Sequence, residues 1–460
     1  MVVGEVAEPT DVLVIGGGPG GYTAALRAAA GGRRVTLVER DTLGGVCLNA
    51  GCIPSKVLIH AADLVGEAGA AGDLGLERNT AVDPLAGIQR RMRDVVGGLV
   101  DGVQGLLDRA GVTVVGGAAS FTRPNRAMVL QGDTVTHYEF EHAVVVTGSR
   151  PLELPGLPFD GERVLDSTDA LFRLERVPER LAVVGGGYIG LELGSAFAKL
   201  GAAVTIVEMT DSLLPEMEPA LGRVVGRALQ DMGVDVRLRT SATGLAEGGL
   251  AVTGPEDATD TVAADAIVVA VGRRPNTDSL GLDLAGVATG DDGRIPVDPA
   301  RRAGGRILAI GDVTAGPALA HKATAEAEVV SLTVAGKAAS FDPATIPAVV
   351  FTDPEVATVG LTTAQAKAAG AEVNRHRVPL GGSGRARILG RAAGFVEVVA
   401  DGDGTILGVH MAGPTVSELA AEAALAVEMA ATVEDLALTI HPHPTVSESL
   451  ADAARGARRG

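Results

Sequence analysis

The chain has 460 residues, of which 39 are basic and 57 acidic, for a formal net charge of −18 at pH 7. That balance argues against non-specific nucleic-acid binding and is compatible with docking onto a basic partner surface. Aromatic residues make up 2% and Trp is absent, so the core must be built from Ala, Val, Leu and Ile; the length predicts about two to four domains.

Met1 to Thr10 carries two glutamates, no basic residue and no apolar run of the signal-peptide kind. No segment approaches about 18 uninterrupted apolar residues. A cytoplasmic protein without a membrane span is therefore the expectation. Residues 11–39 read DVLVIGGGPGGYTAALRAAAGGRRVTLVE. Val12 to Ile15 predicts a buried parallel strand. Gly16, Gly18 and Gly21 follow in G-x-G-x-x-G spacing, then an Ala-rich helix, then a strand Val35 to Val38 that ends in Glu39. Such glycines allow a tight turn and close backbone approach to a pyrophosphate, and the helix N-terminus offers its free N–H groups to the phosphates. A terminal acid can accept hydrogen bonds from a ribose diol.

GGVCLNAGCIPSK, residues 44–56, holds the only two cysteines, Cys47 and Cys52. In a regular helix positions i and i+5 lie roughly 8 Å apart or more, beyond the ~7 Å reach of a disulfide between Cα atoms. The pair can bridge only where the helix is open or distorted. Gly44, Gly45, Asn49 and Gly51 supply that freedom, and Pro54 can start a helix just afterwards. A bridge over so short a loop adds little stability and suits a redox role. A zinc site would need distant histidines as well, and incidental thiols are the third reading. The chain is Arg-rich, with lysine only at 56, 199, 322, 337 and 367, which singles out Lys56 beside the cysteines.

Ala143 to Pro151 (AVVVTGSRP) resembles Ala266 to Pro275 (AIVVAVGRRP): each is a strand that ends in Gly, then a basic residue and Pro. Between them, residues 181–208 repeat the first unit as LAVVGGGYIGLELGSAFAKLGAAVTIVE, with Gly185, Gly187, Gly190 and Glu208. The acid stands 23 residues after the first glycine in both copies, from 16 to 39 and from 185 to 208. Each glycine set sits between a strand and a helix, the context that makes this motif specific. Met209-Thr210-Asp211 offers no nearby Arg for a 2′-phosphate, so the second site favours NAD over NADP. Ile307 to Asp312 reads as a further strand of the first sheet. Gly394 to Asp401 and Thr405 to Gly413 predict antiparallel strands, and Ser417 to Thr432 a helix. The chain ends HPHPTVSESL followed by an Arg-rich tail from Arg455 to Gly460, for which a frayed solvated end is the default.

Together these motifs make the chain resemble the flavoprotein pyridine nucleotide–disulfide oxidoreductases over nearly its whole length. The resemblance implies an α/β fold with two Rossmann-like dinucleotide-binding domains, the NAD domain inserted in the FAD domain, plus a C-terminal α+β dimerisation domain. The boundaries expected are 1–150 and 277–345 for FAD, 151–276 for NAD, and 346–460 for dimerisation. FAD would rest on Gly16, Gly18, Gly21, Glu39, Ala119, Thr147, Gly148, Ser149, Asp312 and Ala320. NAD would rest on Gly185, Gly187, Gly190, Glu208, Ala242, Gly272 and Arg273. Cys52 would face the flavin, Cys47 the substrate, Lys56 the flavin N5, with Glu192 its partner beneath the nicotinamide. His443 would be the base and Glu448 its orienting acid, with His441 the runner-up. Two histidines before Pro-Thr point, within the family, to members that oxidise protein-bound dihydrolipoyl groups. The missing C-terminal cysteine pair argues against mercuric-ion reduction. Partners implied are a second copy, a lipoylated domain of an acyltransferase or of a glycine-cleavage carrier, and an acyltransferase's subunit-binding domain. A sister NADPH-dependent reductase of glutathione or another small disulfide is the alternative, and a non-catalytic flavin-binding scaffold a further one. Val46, Ala50 and Pro442 depart from the family pattern.

Overall fold

A computed structural model describes residues 7–70 and 83–458. It divides into two units. The first comprises the chain to Val57, Gln89–Leu152 and Gly272–Asp342; the second comprises Leu58–Ile88, Glu153–Val271 and Pro343 onward. The Arg-rich end is described as far as Arg458, and the helix Glu448–Ala457 runs into it.

In the first unit, β1 (Ala7–Ile15) leads into α1 (Pro19–Ala30) and β2 (Val35–Glu39). α2 (Gly45–Asn49) and α3 (Cys52–Ala70) follow, and α3 runs on from the first unit into the second. The main sheet runs, edge to edge, Arg302–Gly304, Ile307–Ala309, Thr134–Val145, β1, β2 and Thr113–Gly116. Ala118–Arg123 and Arg126–Gln131 extend it as an antiparallel flank. β1 pairs in parallel with β2 (Val12↔Val35) and with Thr134–Val145 (Ile15↔Val145). Ile307–Ala309 returns parallel to Ala143–Val145, as the sequence predicts. Continuous Val, Ile and Leu runs suit strands covered on both faces, and Val12, Leu13, Val14, Val144 and Val145 are all at most 1% exposed. The two similar segments that follow the central strands pair with each other: Ser149–Pro151 and Arg273–Pro275 form an antiparallel ribbon.

The second unit repeats the pattern. β3 (Arg180–Val184), α4 (Tyr188–Lys199) and β4 (Ala203–Val207) lie in a five-stranded parallel sheet, ordered Asp235–Arg237, β4, β3, Ala266–Val269, Val164–Leu165. A three-stranded antiparallel sheet covers 241–263. A second five-stranded sheet, antiparallel, is ordered Ala348–Val350, Glu355–Gly360, Ile406–Gly413, Phe395–Ala400, Asn374–Pro379. It is packed by the helices Val416–Glu428, Val433–Leu438 and Glu448–Ala457. The helix predicted over 417–432 ends at Glu428, short of its expected end, because Ala430 is left-handed (φ 48°); Thr432 then caps a separate helix, Val433–Leu438, through Asp435. By length and composition alone Gly45–Ala68 would also pass for a membrane span, at 24 residues and mean hydropathy 1.2. It is instead two helices broken at Ala50 and Gly51, and Asp63 and Glu67 on it hold ion pairs with Lys199 and Arg391.

Candidate active site

The two glycine loops are built alike. At Gly16 φ is +111° and a Cβ would stand 2.4 Å from Val146 O; at Gly185 φ is +113° and a Cβ would stand 2.4 Å from Ala270 O. Both positions require glycine for the turn itself. Gly21 and Gly190 are where the helix crosses the strand: a Cβ there would meet Gly16 O at 1.8 Å and Gly185 O at 2.1 Å. The middle glycines differ in kind. A Cβ at Gly187 would meet nothing within 4 Å, and one at Gly18 only Gly45 Cα at 3.9 Å. Nothing in the protein forbids a side chain at either, so the space suits a ligand's approach, and each loop fits a dinucleotide pyrophosphate.

The acids are equally matched. Glu39 Oε2 accepts from Gly17 N at 2.6 Å and Oε1 from Asp41 N at 2.8 Å. Glu208 Oε2 accepts from Gly186 N at 2.6 Å and Oε1 from Thr210 N at 2.7 Å. Each carboxylate is thus fixed beside its loop with lone pairs left for a ribose diol.

Around the first loop, Ser149 Oγ donates to Asp312 Oδ2 at 2.5 Å, and Thr147 Oγ1 to Asn276 O at 2.6 Å. Gly148 is left-handed, with φ 67°. Ala119 sits on the antiparallel flank and Ala320 opens the helix Ala320–Val334. Arg273 Nε donates to Ser149 Oγ and its NH2 group to Ser149 O, both at 2.7 Å. The resemblance groups Gly272 and Arg273 with the second cofactor; both belong to the first unit, where Arg273–Pro275 pairs with Ser149–Pro151. Ala242 is in the second unit, on the strand Ser241–Ala246. Beneath Asp312 lies a buried cluster that motif reading does not reveal. Glu326, fully buried, accepts from Gly311 N at 2.6 Å, Arg301 NH2 at 2.5 Å and Lys322 Nζ at 2.9 Å. Lys322 Nζ also donates to Gly311 O at 3.2 Å, so the Gly311 peptide is held from both sides.

The cysteine segment breaks as its glycines predict. α2 ends at Asn49, Ala50 leaves the helix at φ −141°, and α3 begins at Cys52, two residues ahead of Pro54. Asn49 Nδ2 donates to Leu43 O at 2.8 Å and Gly45 O at 3.0 Å, which ties the segment into a compact turn. The cysteines are in the dithiol form, Cys47 half-buried and Cys52 exposed. A hydrogen bond with Cys52, together with burial, holds the Cys47 thiol far above the usual thiol range, and the charge of Lys56 offsets this only in part. Such a dithiol needs a base to become nucleophilic. Among the described residues no cluster of three metal-ligating side chains occurs.

In the second unit, His443 Nδ1 donates to Glu448 Oε1 at 2.9 Å, which leaves Nε2 to take a proton. Glu448 Oε2 accepts from Thr445 N at 3.0 Å; that bond and His443 hold its carboxyl below the usual carboxylate range. The imidazole of His443 is 80% exposed, whereas that of His441 is 6% exposed, with Nε2 on Glu422 Oε1 at 2.8 Å and Nδ1 on Thr439 O at 3.0 Å. Both nitrogens of His441 are committed to the fold. Glu192 is 4% exposed and accepts from Phe351 N at 3.0 Å, so it is no solvated helix-face residue.

Residues 10–327 match the family described as pyridine nucleotide-disulphide oxidoreductase, and residues 346–454 match its dimerisation domain. The chain is 48% identical to dihydrolipoyl dehydrogenase 2 of Haloarcula marismortui, over 100% of this chain and 98% of the relative. It is 45% identical to dihydrolipoyl dehydrogenase of Geobacillus stearothermophilus, over 99% and 97%. Among solved structures it is similar to LpdA of Mycobacterium tuberculosis, with a TM-score of 0.89 and 29% identity over 97% of this chain and 99% of that one.

Proposed function

The chain belongs to the pyridine nucleotide-disulphide oxidoreductase family, and we propose on that premise that it is a dihydrolipoyl dehydrogenase. FAD and NAD are its cofactors. The single observation that carries the reading is that one chain holds both a His443–Glu448 dyad and a Cys47–Cys52 dithiol. FAD, when bound, supplies the two-electron path between the cysteine pair and NAD⁺. Glu448 holds His443 in the tautomer whose Nε2 accepts the proton of a dihydrolipoyl thiol, as the third member of a triad does. The resulting thiolate attacks Cys47 of the oxidised pair; a second thiolate from the same substrate then displaces Cys47 and closes the lipoyl disulfide. Cys52 is the thiol on the flavin side. Lys56 supplies positive charge beside that pair, and Glu192 orients it beneath the nicotinamide. Gly16, Gly18, Gly21, Glu39, Thr147, Gly148, Ser149, Asp312, Ala119 and Ala320 hold FAD; Gly185, Gly187, Gly190, Glu208 and Ala242 hold NAD. Gly272 and Arg273 line the NAD path in this reading, although the bonds of Arg273 run to Ser149.

A dyad as exposed as His443–Glu448 is half a site. In the family dimer it meets the cysteines of the other protomer, and exposed apolar residues on the dimerisation domain support that assembly: Ile440 is 95% exposed, Met429 72% and Leu438 67%. The dimer works in the cytoplasm on lipoylated domains of an acyltransferase or of a glycine-cleavage carrier, and its acidic surface docks a basic subunit-binding domain. The test is NAD⁺ reduction with dihydrolipoamide, run beside NADPH oxidation with glutathione disulfide. Activity with the first pair alone supports the reading. Activity with the second pair alone overturns it.

A further inference from the structure

Of five lysines in the chain, Lys199 is one that the structure encloses, its side chain 12% exposed at the C-terminal end of α4. Its Nζ donates to Asp63 Oδ1 at 2.6 Å and to Asp353 Oδ2 at 2.7 Å. Its stem lies over Gly66, where a Cβ would stand 3.9 Å from Lys199 Cδ. Arg391 continues the series, 3.8 Å from Asp353 Oδ2 and 3.1 Å from Glu67 Oε1. The order Asp63, Lys199, Asp353, Arg391, Glu67 alternates in sign and both begins and ends on α3.

The spacing along the two helices gives this series a use. Asp63 follows Lys56 by seven residues on α3, and Lys199 follows Glu192 by seven on α4. Seven residues are about two turns, so each pair shares one helix face with an axial offset of ~10.5 Å. α4 also grips one segment at both of its points: Glu192 takes the N–H of Phe351, and Lys199 takes the carboxylate of Asp353, two residues on. We propose that the Asp63–Lys199 pair is a positioning clamp that fixes the axial register of α3 against α4. It thereby sets the axial position of α3, and with it that of Cys52 and Lys56 on the same helix. The proposal rests on the reading above for what Cys52 and Lys56 do; Asp63 and Lys199 act only through their helices.

Asp63→Asn is the variant of choice, because it removes the direct α3–α4 ion pair while Lys199 stays on Asp353 and Glu67 stays on Arg391. Its kcat for NAD⁺ reduction by dihydrolipoamide should fall about five-fold, with KM for both substrates within about two-fold, as expected of misplacement rather than lost binding. The long-wavelength absorbance of the protein part-reduced with dithionite, which reports a thiolate beside the flavin, should fall alongside, and the thermal midpoint should hold. Asp63→Glu keeps the charge and should recover most of both signals. Wild-type kcat and absorbance in Asp63→Asn overturn the clamp, as do equal losses in Asp63→Glu, or a lower thermal midpoint with unchanged absorbance. The absorbance needs no lipoyl substrate. A wild-type protein inactive with dihydrolipoamide therefore removes the proposed function and still leaves the clamp decided by that signal.

Discussion

The two nucleotide loops are the same device in different settings. Their backbone bonds agree closely: Gly17 N to Glu39 and Gly186 N to Glu208 are both 2.6 Å. The first loop is closed in by its own chain. A Cβ on Gly45, in the cysteine segment, would stand 2.7 Å from Gly18 Cα, and the Gly311–Asp312 turn behind is clamped by buried Glu326 and Lys322. The second loop faces open space at Gly187. One motif therefore serves two purposes: a walled loop on a clamped turn suits a cofactor that stays, and an open loop suits one that arrives and leaves each turnover.

The largest effect separates chemistry from both loops. Cys47→Ser should lower dihydrolipoamide oxidation by about a thousand-fold or more, because a hydroxyl cannot take part in thiol–disulfide exchange. Flavin content and NADH affinity should not change; loss of either would mean that the cysteine segment is a wall first and a reagent second. Next comes the turn under Asp312. Glu326→Gln leaves Arg301 and Lys322 buried without their anion, and breaking such a group costs about 3–5 kcal/mol. The variant should lose flavin on gel filtration and melt earlier. NADH binding by protein resupplied with FAD should survive, since the second loop has no share in that cluster. Equal damage at both loops would break the contrast drawn above.

How much of this could be read ahead follows from where each partner lies. Gly16, Gly18, Gly21 and Glu39 are legible because strand, turn, helix and acid are contiguous and periodic. The break between Cys47 and Cys52 is legible because three glycines and an asparagine crowd it. Glu326 is not: in AHKATAEAEVV it looks like an ordinary helix-face acid, and its partners Arg301 and Gly311 lie 25 and 15 residues off. Lys199 is worse placed still, since Asp63 and Asp353 are 136 and 154 residues distant. A single ion pair has no period, so only the fold reveals it. The ribbon between Ser149–Pro151 and Arg273–Pro275 is hidden for the same reason: the two segments are alike in sequence, and only the fold reveals that they pair with each other.

A smaller effect tests the middle glycines. Gly187→Ala meets no protein atom within 4 Å, so the thermal midpoint should stay within about 1 °C, small on the scale of ~2–4 °C per kcal/mol for large domains. KM for NAD⁺ should rise about ten-fold, the equivalent of one lost backbone–phosphate contact. Gly190→Ala, whose Cβ would stand 2.1 Å from Gly185 O, should instead unfold the region and lower yield. If both variants behaved alike, the middle glycine would be a packing residue and the case for ligand approach would lapse.

The smallest effect concerns which dinucleotide the open loop accepts. Glu208 spends one acceptor on Gly186 N and one on Thr210 N, and its charge opposes a 2′-phosphate. Glu208→Gln keeps one carbonyl acceptor but turns an amide NH2 toward one of those N–H groups, so it loses a bond as well as the charge. Affinity for NAD⁺ should therefore fall several-fold while NADP⁺ is repelled less, and the preference between them should narrow by roughly ten-fold, about 1.4 kcal/mol. Glu39→Gln makes the same chemical change at the first loop. It should leave the NAD⁺/NADP⁺ ratio untouched and appear only as weaker flavin retention. A shift of that ratio in Glu39→Gln would mean that the two loops are not separate in function, and that the resident and the exchanging cofactor had been assigned to the wrong glycines.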